Sequence, residues 1–247
     1  MKPLTNESPV GQWVIDHPEL ILFLEELQVD YCCGGNKTLS DACHAVGVEP
    51  ELLLDKLSQA RRMTDKENST TDWSTARLSD LCDHIESTHH VYLKNTLPSL
   101  CQLASKVREA HGDTHPELRE VESVYRNLCD ELNPHMMKEE RILFPAIRLQ
   151  EEATQTLSFP FGTMQNPINM MVHEHNQAGN LLSRLRELTN TYSVPEDACT
   201  SYCAFLEGLQ QLELDLHQHI HKENNILFPR AAQLVSSRQQ DQQEEKD

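Results

Sequence analysis

The chain has 247 residues, with 39 acidic against 21 basic side chains and a formal net charge of −18. Such an excess of negative charge repels phosphate backbones and acidic partners, which argues against nucleic-acid binding. Its longest apolar runs, Leu20 to Leu24 and Tyr202 to Leu206, fall far short of the ~20 residues of a membrane span or of a signal-peptide core, so no membrane partner is expected and the cytoplasm is the expected location.

Eight cysteines lack the density of a secreted disulfide framework, and a reducing compartment would keep them as thiols. Thirteen histidines are the compositional anomaly.

In chain order, residues 1–64 read as a small helical unit. HPELILFLEELQ has apolar residues at helical spacing. Thr38 with Asp41 forms a capping box for LSDACHAV, which Gly47 closes, and Pro50 opens ELLLDKLSQARR as a first-turn proline. Between the first two helices lies the loop DYCCGGN. Residues 65–75 are polar apart from Trp73 and read as a linker.

Residues 76–236 show four longer helical segments, near 76–110, 116–150, 167–192 and 195–236, with Pro116, Pro167 and Pro195 at or near their starts and Asn166 as an N-cap. Without strand-like alternation, this pattern predicts an all-α fold, an up-down four-helix bundle preceded by the small helical unit. Pro134 inside the second segment is expected to kink or split it. Residues 237–247 have nothing to bury and are expected to be a disordered tail.

One segment is written twice. HMMKEERILFP, His135–Pro145, returns as HIHKENNILFP, His219–Pro229. His135 and Glu139, like His219 and Glu223, are four residues apart, so each pair lies on one stripe about 40° wide. Metal ligands in a bundle project inward from facing helices, so the first and third helices should supply the rest.

The first helix offers His84, His89 and His90. By α-helical arithmetic, the last two lie about 140° and 240° around from His84, which shares its face with Leu81, Thr88 and Val91. His84 is therefore the expected inward residue, with His89 and His90 solvated. The same arithmetic turns His217 and His221 away from His219, and Glu140 away from Glu139. The third helix offers His173 and His175, between which periodicity does not choose.

Four imidazoles and two carboxylates exceed the needs of one tetrahedral zinc, whereas two iron or manganese ions bridged by carboxylates would use them fully. A ferritin-like site needs two Glu-x-x-His motifs, and only Glu86–His89 is present, with its histidine expected outside.

Together, DHI around His84, HMMKEERILFP, the EH of HEHNQAG, HIHKENNILFP and the N-terminal DYCCGGNKTLSDAC resemble the repair of iron centres family, the ScdA/YtfE-like proteins. That family joins a double-cysteine domain to a hemerythrin-like di-iron domain. The resemblance implies two non-haem iron ions per chain, oxo- and carboxylate-bridged, held by His84, His135, Glu139, His175, His219 and Glu223, with both glutamates bridging. It chooses His175 over His173 and points to Glu131, one turn before His135, as a further functional residue.

Cys32 and Cys33 are implied to be a thiol pair that touches a client cluster, receives iron or passes electrons; flanking Gly34 and Gly35 allow close backbone approach. Oxygen-carrying hemerythrins have a histidine where this chain has Gly179, which disfavours reversible oxygen carriage. The implied function is repair of iron–sulfur clusters damaged by nitric oxide or peroxide, by iron donation. The expected partners are damaged or apo iron–sulfur proteins, and a homodimer contact is expected through the N-terminal unit. The competing readings are a nitric oxide reductase or peroxidase, taking nitric oxide or another small diatomic, and an iron- or oxygen-sensing module. The remaining cysteines are expected to fill small apolar sites, and His44, His111 and His115 to lie at the surface.

Overall fold

The computed structural model describes residues 4–63 and 71–244, without the side chains of 58–63 and 239–244. Among these the fold is all-α. Extended pairing is limited to isolated bridges at Pro9–Thr38 and Phe159–Gly162.

The N-terminal unit holds α1 (Val10–Asp16), α2 (Ile21–Glu26), α3 (Leu39–His44) and α4 (Pro50–Met63). Thr38 caps α3 by accepting from the Asp41 amide, and Gly47, at φ +71°, follows that helix. Helix α1 was not legible in the sequence, because its seven residues carry only Val10, Trp13 and Val14 as an apolar face.

Four rods form the bundle. The first is α5 (Leu78–Ile85) and α6 (Val91–His111), and the second is α7 (Leu118–Lys138) and α8 (Phe144–Glu152). The third is α9 (Gln165–Leu188), and the fourth is α10 (Thr200–Lys222) and α11 (Phe228–Glu244). Helix α7 packs on α6 and α9, and α6 on α10.

Helix α9 starts before Asn166, whose side chain donates to the Phe161 carbonyl rather than capping. It stops short of 192 because Asn190, Thr191 and Tyr192 all take positive φ. Helix α11 carries residues 237–244 of the expected tail in helical form, and residues 245–247 lie outside the described residues. Most of the 65–75 linker lies outside the described residues. Its end is pinned where Arg230 donates to the carbonyls of Trp73 and Ala76.

Three rods contain one π-helical turn each, at Glu86–His90, Glu139–Leu143 and Glu223–Leu227. The amides of Val91, Phe144 and Phe228 reach back to Glu86, Glu139 and Glu223, five residues earlier. In the two copies of the repeat the cause is local. Pro145 and Pro229 in regular α geometry would drive their rings into the carbonyls of Arg141 and Asn225, and widening the turn relieves that clash. Pro134, by contrast, does not split α7; the helix runs through it to Lys138.

The bundle core is in two parts. One apolar cluster joins Leu93–Val107 of α6 to residues of α7, α9 and α10. The other joins Leu78–Ile85 to Leu143–Ile147, Ile168, Met171 and Ile226–Ala231. Between them every rod crosses a polar layer. Leu212 is fully buried in the first cluster, so Leu212→Ala is expected to cost about 2–5 kcal/mol, read by thermal or denaturant unfolding.

The N-terminal unit packs on the fourth rod, sharing a third apolar cluster with Ile220. This intramolecular docking occupies part of the unit to which sequence reasoning assigned a homodimer contact.

Candidate metal centre

Each rod delivers buried polar groups to the layer between the two apolar clusters. His90, Glu139, His219 and Glu223 present ligand atoms all within 4.8 Å of one another, and so do His135, Glu139, His175 and Glu223. Both carboxylates belong to both quartets. All six residues are at most 2 % exposed.

His135 Nε2 lies 3.4 Å from Glu139 Oε1 and His90 Nε2 lies 3.3 Å from Glu139 Oε2. His175 Nε2 and His219 Nε2 each lie 3.1 Å from Glu223 oxygens. Yet His90 Nε2, both Glu139 oxygens and Glu223 Oε2 lack a properly formed hydrogen bond among the described residues. Nitrogen and oxygen atoms buried this way are costly unless a cation takes their lone pairs. The donor set therefore fits a metal with imidazole and carboxylate preference.

On the first rod the structure brings His90, not the expected His84, into the quartets. His84 is half-buried, stacks on Trp73 at 4.5 Å and bonds Thr88, outside both quartets. The reason is the π turn, in which five residues nearly close one turn, so Ile85 and His90 share the inward face. Counting by 100° per residue from His84 carries the wrong phase across it. Counting backward from Leu100, Leu97 and Leu93 places His90 correctly. His89, also expected outside, is buried at 3 % exposure.

On the third rod His175 faces the layer, while His173 is exposed. Glu131 does not join the cluster. It is exposed on α7, at a surface recess with Gln177 and Asn180.

Residues missed in the sequence hold the imidazoles from behind. Glu140 Oε1 lies 2.8 Å from His90 Nδ1, Glu174 Oε2 2.9 Å from His135 Nδ1, and Asn224 Oδ1 2.8 Å from His175 Nδ1. Glu140 and Asn224 occupy the same position of the two repeats, the signal that could have found them.

Burial lowers the pKa of His135, but Glu139, Glu174 and Glu223 outweigh it and push it up to about 10. Burial and the facing Glu223 push the Glu139 carboxyl up, and His135 and His90 more than offset them. In the metal-free protein His135 is thus protonated at neutral pH. Its pairing favours the fold below the free-histidine pKa of ~6.5 and fades as pH rises through about 10. Loading a divalent ion at pH 7 should then expel protons, and affinity should fall as pH drops; titration in weakly buffered solution reads the release.

The cysteine loop lies against this centre. Cys33 Sγ approaches the His175 carbonyl at 3.6 Å, and Asn225 donates to the carbonyls of Tyr31 and Cys32. His221 Nδ1 is 3.4 Å from the Tyr31 carbonyl. A Cβ on Gly179 would touch Cys33 Sγ at 3.4 Å. The two thiols are free, 4.0 Å apart, and a hydrogen bond to Cys33 together with burial pushes Cys32 well up. Cys33 is half-buried on a cavity of about 240 Å³ shared with Asn176, Asn180 and Arg186.

Of the other cysteines, Cys43 and Cys82 are buried, Cys101, Cys129 and Cys203 are half-buried, and Cys199 is exposed. His111 draws the Cys199 thiol down to about 7.

An all-α bundle whose rods converge four histidines and two shared glutamates belongs to the hemerythrin class, and residues 83–231 match the model of the Hemerythrin HHE cation binding domain. Residues 6–61 match ScdA_N, a domain of unknown function. The relatives named "Iron-sulfur cluster repair protein YtfE" from Enterobacter sp. (strain 638) and Escherichia coli O8 (strain IAI1) are 36% and 35% identical, each over 92% of this chain and 97% of theirs. That from Edwardsiella ictaluri (strain 93-146) is 35% identical over the same shares. The chain belongs to the repair of iron centres family, the ScdA/YtfE-like proteins.

Proposed function

We propose that this chain repairs damaged iron–sulfur clusters by donating iron from a two-iron centre held by His90, His135, Glu139, His175, His219 and Glu223. The observation that carries this reading is the pair of buried quartets sharing Glu139 and Glu223, three of whose four carboxylate oxygens lack a hydrogen-bond partner among the described residues. Sharing favours two ions bridged by both glutamates. When bound, iron there supplies one-electron redox chemistry and Lewis acidity.

The chain's own contribution is to hold four imidazoles in place, three of them from behind through Glu140, Glu174 and Asn224, and to keep water out between two apolar clusters. Cys33, against the His175 backbone and facing a polar cavity, is the thiol we assign to receiving iron, with Cys32 beside it. The clients are damaged or apo iron–sulfur proteins. Eight free thiols suit a reducing cytoplasm, and no helix among the described residues is long and apolar enough to cross a membrane.

The test mixes ferrous protein with an iron–sulfur enzyme inactivated by nitric oxide or peroxide. Wild type should restore activity, Cys33→Ser should slow restoration, and Glu139→Gln with Glu223→Gln should abolish it. No restoration by ferrous wild type would refute donation. Nitric oxide consumption beyond one equivalent per centre, with an electron donor present, would move the chain to the enzyme reading.

A further inference from the structure

Three of the four inward imidazoles are held from behind, and the fourth is not. Glu140, Glu174 and Asn224 stand on the Nδ1 atoms of His90, His135 and His175. His219 Nδ1 is buried with no hydrogen-bond partner among the described residues. An acceptor on a ligand's far nitrogen fixes its tautomer, orients the ring and raises its basicity, and losing one typically costs about 10–100-fold in metal affinity.

The space beside His219 is taken by another ring. His89 lies parallel to it at 5.2 Å, with an interplanar angle of 1°. Its own nitrogens are engaged, Nδ1 with Asp215 Oδ1 and Nε2 with Lys222 Nζ, both at 2.8 Å. Asp215 sits one turn before His219 on α10, and its Oδ2 is buried and also unpartnered. Asp215 is thus an acceptor one turn away on the same helix, and His89 engages its Oδ1.

The quartets therefore differ. His135 and His175 both carry outer acceptors, although Lys138 shares Glu174. In the other quartet only His90 has one, and Lys94 shares it, while Lys222 brings an ammonium to that flank, where it opposes a cation.

We propose that the two metal positions are unequal, the ion on His90 and His219 being the labile one that leaves first. His89 acts as a positioning residue by keeping Asp215 from His219. Departure of that ion leaves Glu139 and Glu223 wholly to the ion on His135 and His175, so release is stepwise. This inference rests on the reading that the centre holds iron for delivery.

The test follows transfer of iron from the ferrous full-length protein to excess colorimetric ferrous chelator. Two phases of one iron each are expected, separated about tenfold in rate. His90→Ala should carry one iron that leaves at the slow rate, and His135→Ala one iron that leaves at the fast rate, with circular dichroism confirming the fold.

His89→Phe offers an independent check that keeps a stacked ring and both quartets. By freeing Asp215 it should slow the fast phase about tenfold, whereas a merely structural role for His89 would leave that phase unchanged or quicken it. A single phase in wild type, or a fast-leaving iron in His90→Ala, overturns the proposal. The chelator needs no client, so biphasic release with failed cluster repair would sink the repair reading alone. Single-phase release with successful repair would sink only the inequality.

Discussion

Replacing Glu139 and Glu223 together by glutamine is expected to bring the metal content from about two ions per chain to background. Each carboxylate stands in both quartets, so the double substitution removes two of four donors from each position at once. It also removes the negative charge that offsets a divalent cation in a layer sealed between apolar clusters. Glutamine keeps the volume, which separates loss of metal from collapse of the core. Single variants should lose more than one ion's worth, since each carboxylate stands in both quartets. Elemental analysis by mass spectrometry reads the result directly, and two ions retained in the double variant would mean that the quartets are not the site.

The second large effect is expected at Gly35. A Cβ there would overlap Asn225 Oδ1 and lie 2.7 Å from its Cγ. Asn225 cannot simply swing aside, because it holds the carbonyls of Tyr31 and Cys32 and contacts His221 Nδ1. Helix α1 closes the other side, where a Cβ on Gly11 would meet the same side chain at 2.7 Å. Gly35→Val should therefore lift the cysteine loop from the fourth rod at a cost of about 1–3 kcal/mol.

Alkylation of Cys33, mapped by mass spectrometry, should accelerate about tenfold or more, on the grounds that a loop shifted by that energy populates open states. Iron content should stay unchanged, because no ligand is touched. Alkylation at the wild-type rate would show that the loop's seat does not depend on this contact.

Much of this was legible in the sequence because the chemistry is periodic. The doubled segment puts His135 with Glu139, and His219 with Glu223, on single stripes, and the four long apolar patterns define the bundle. The same repeat also explains its own differences. Where the second copy has His221 and Asn225, the N-terminal unit docks; where the first has Met137 and Arg141, the surface is open.

What escaped was the phase of the first rod. A π turn changes the count per turn, and at Glu86–His90 no proline announces it, unlike Pro145 and Pro229 in the other two. The outer acceptor Glu174 escaped for a different reason, since it acts across rods and lies outside the doubled segment that marks Glu140 and Asn224. Glu131 was placed by resemblance alone, and its solvent-facing position on α7 removes it from the centre.

The most direct measurement is iron per chain for wild type, His84→Ala and His90→Ala, each loaded anaerobically and freed of loose metal. The account predicts about two, two and one. A loss of iron in His84→Ala with none in His90→Ala would contradict it, since the first-rod ligand would then lie outside the two quartets.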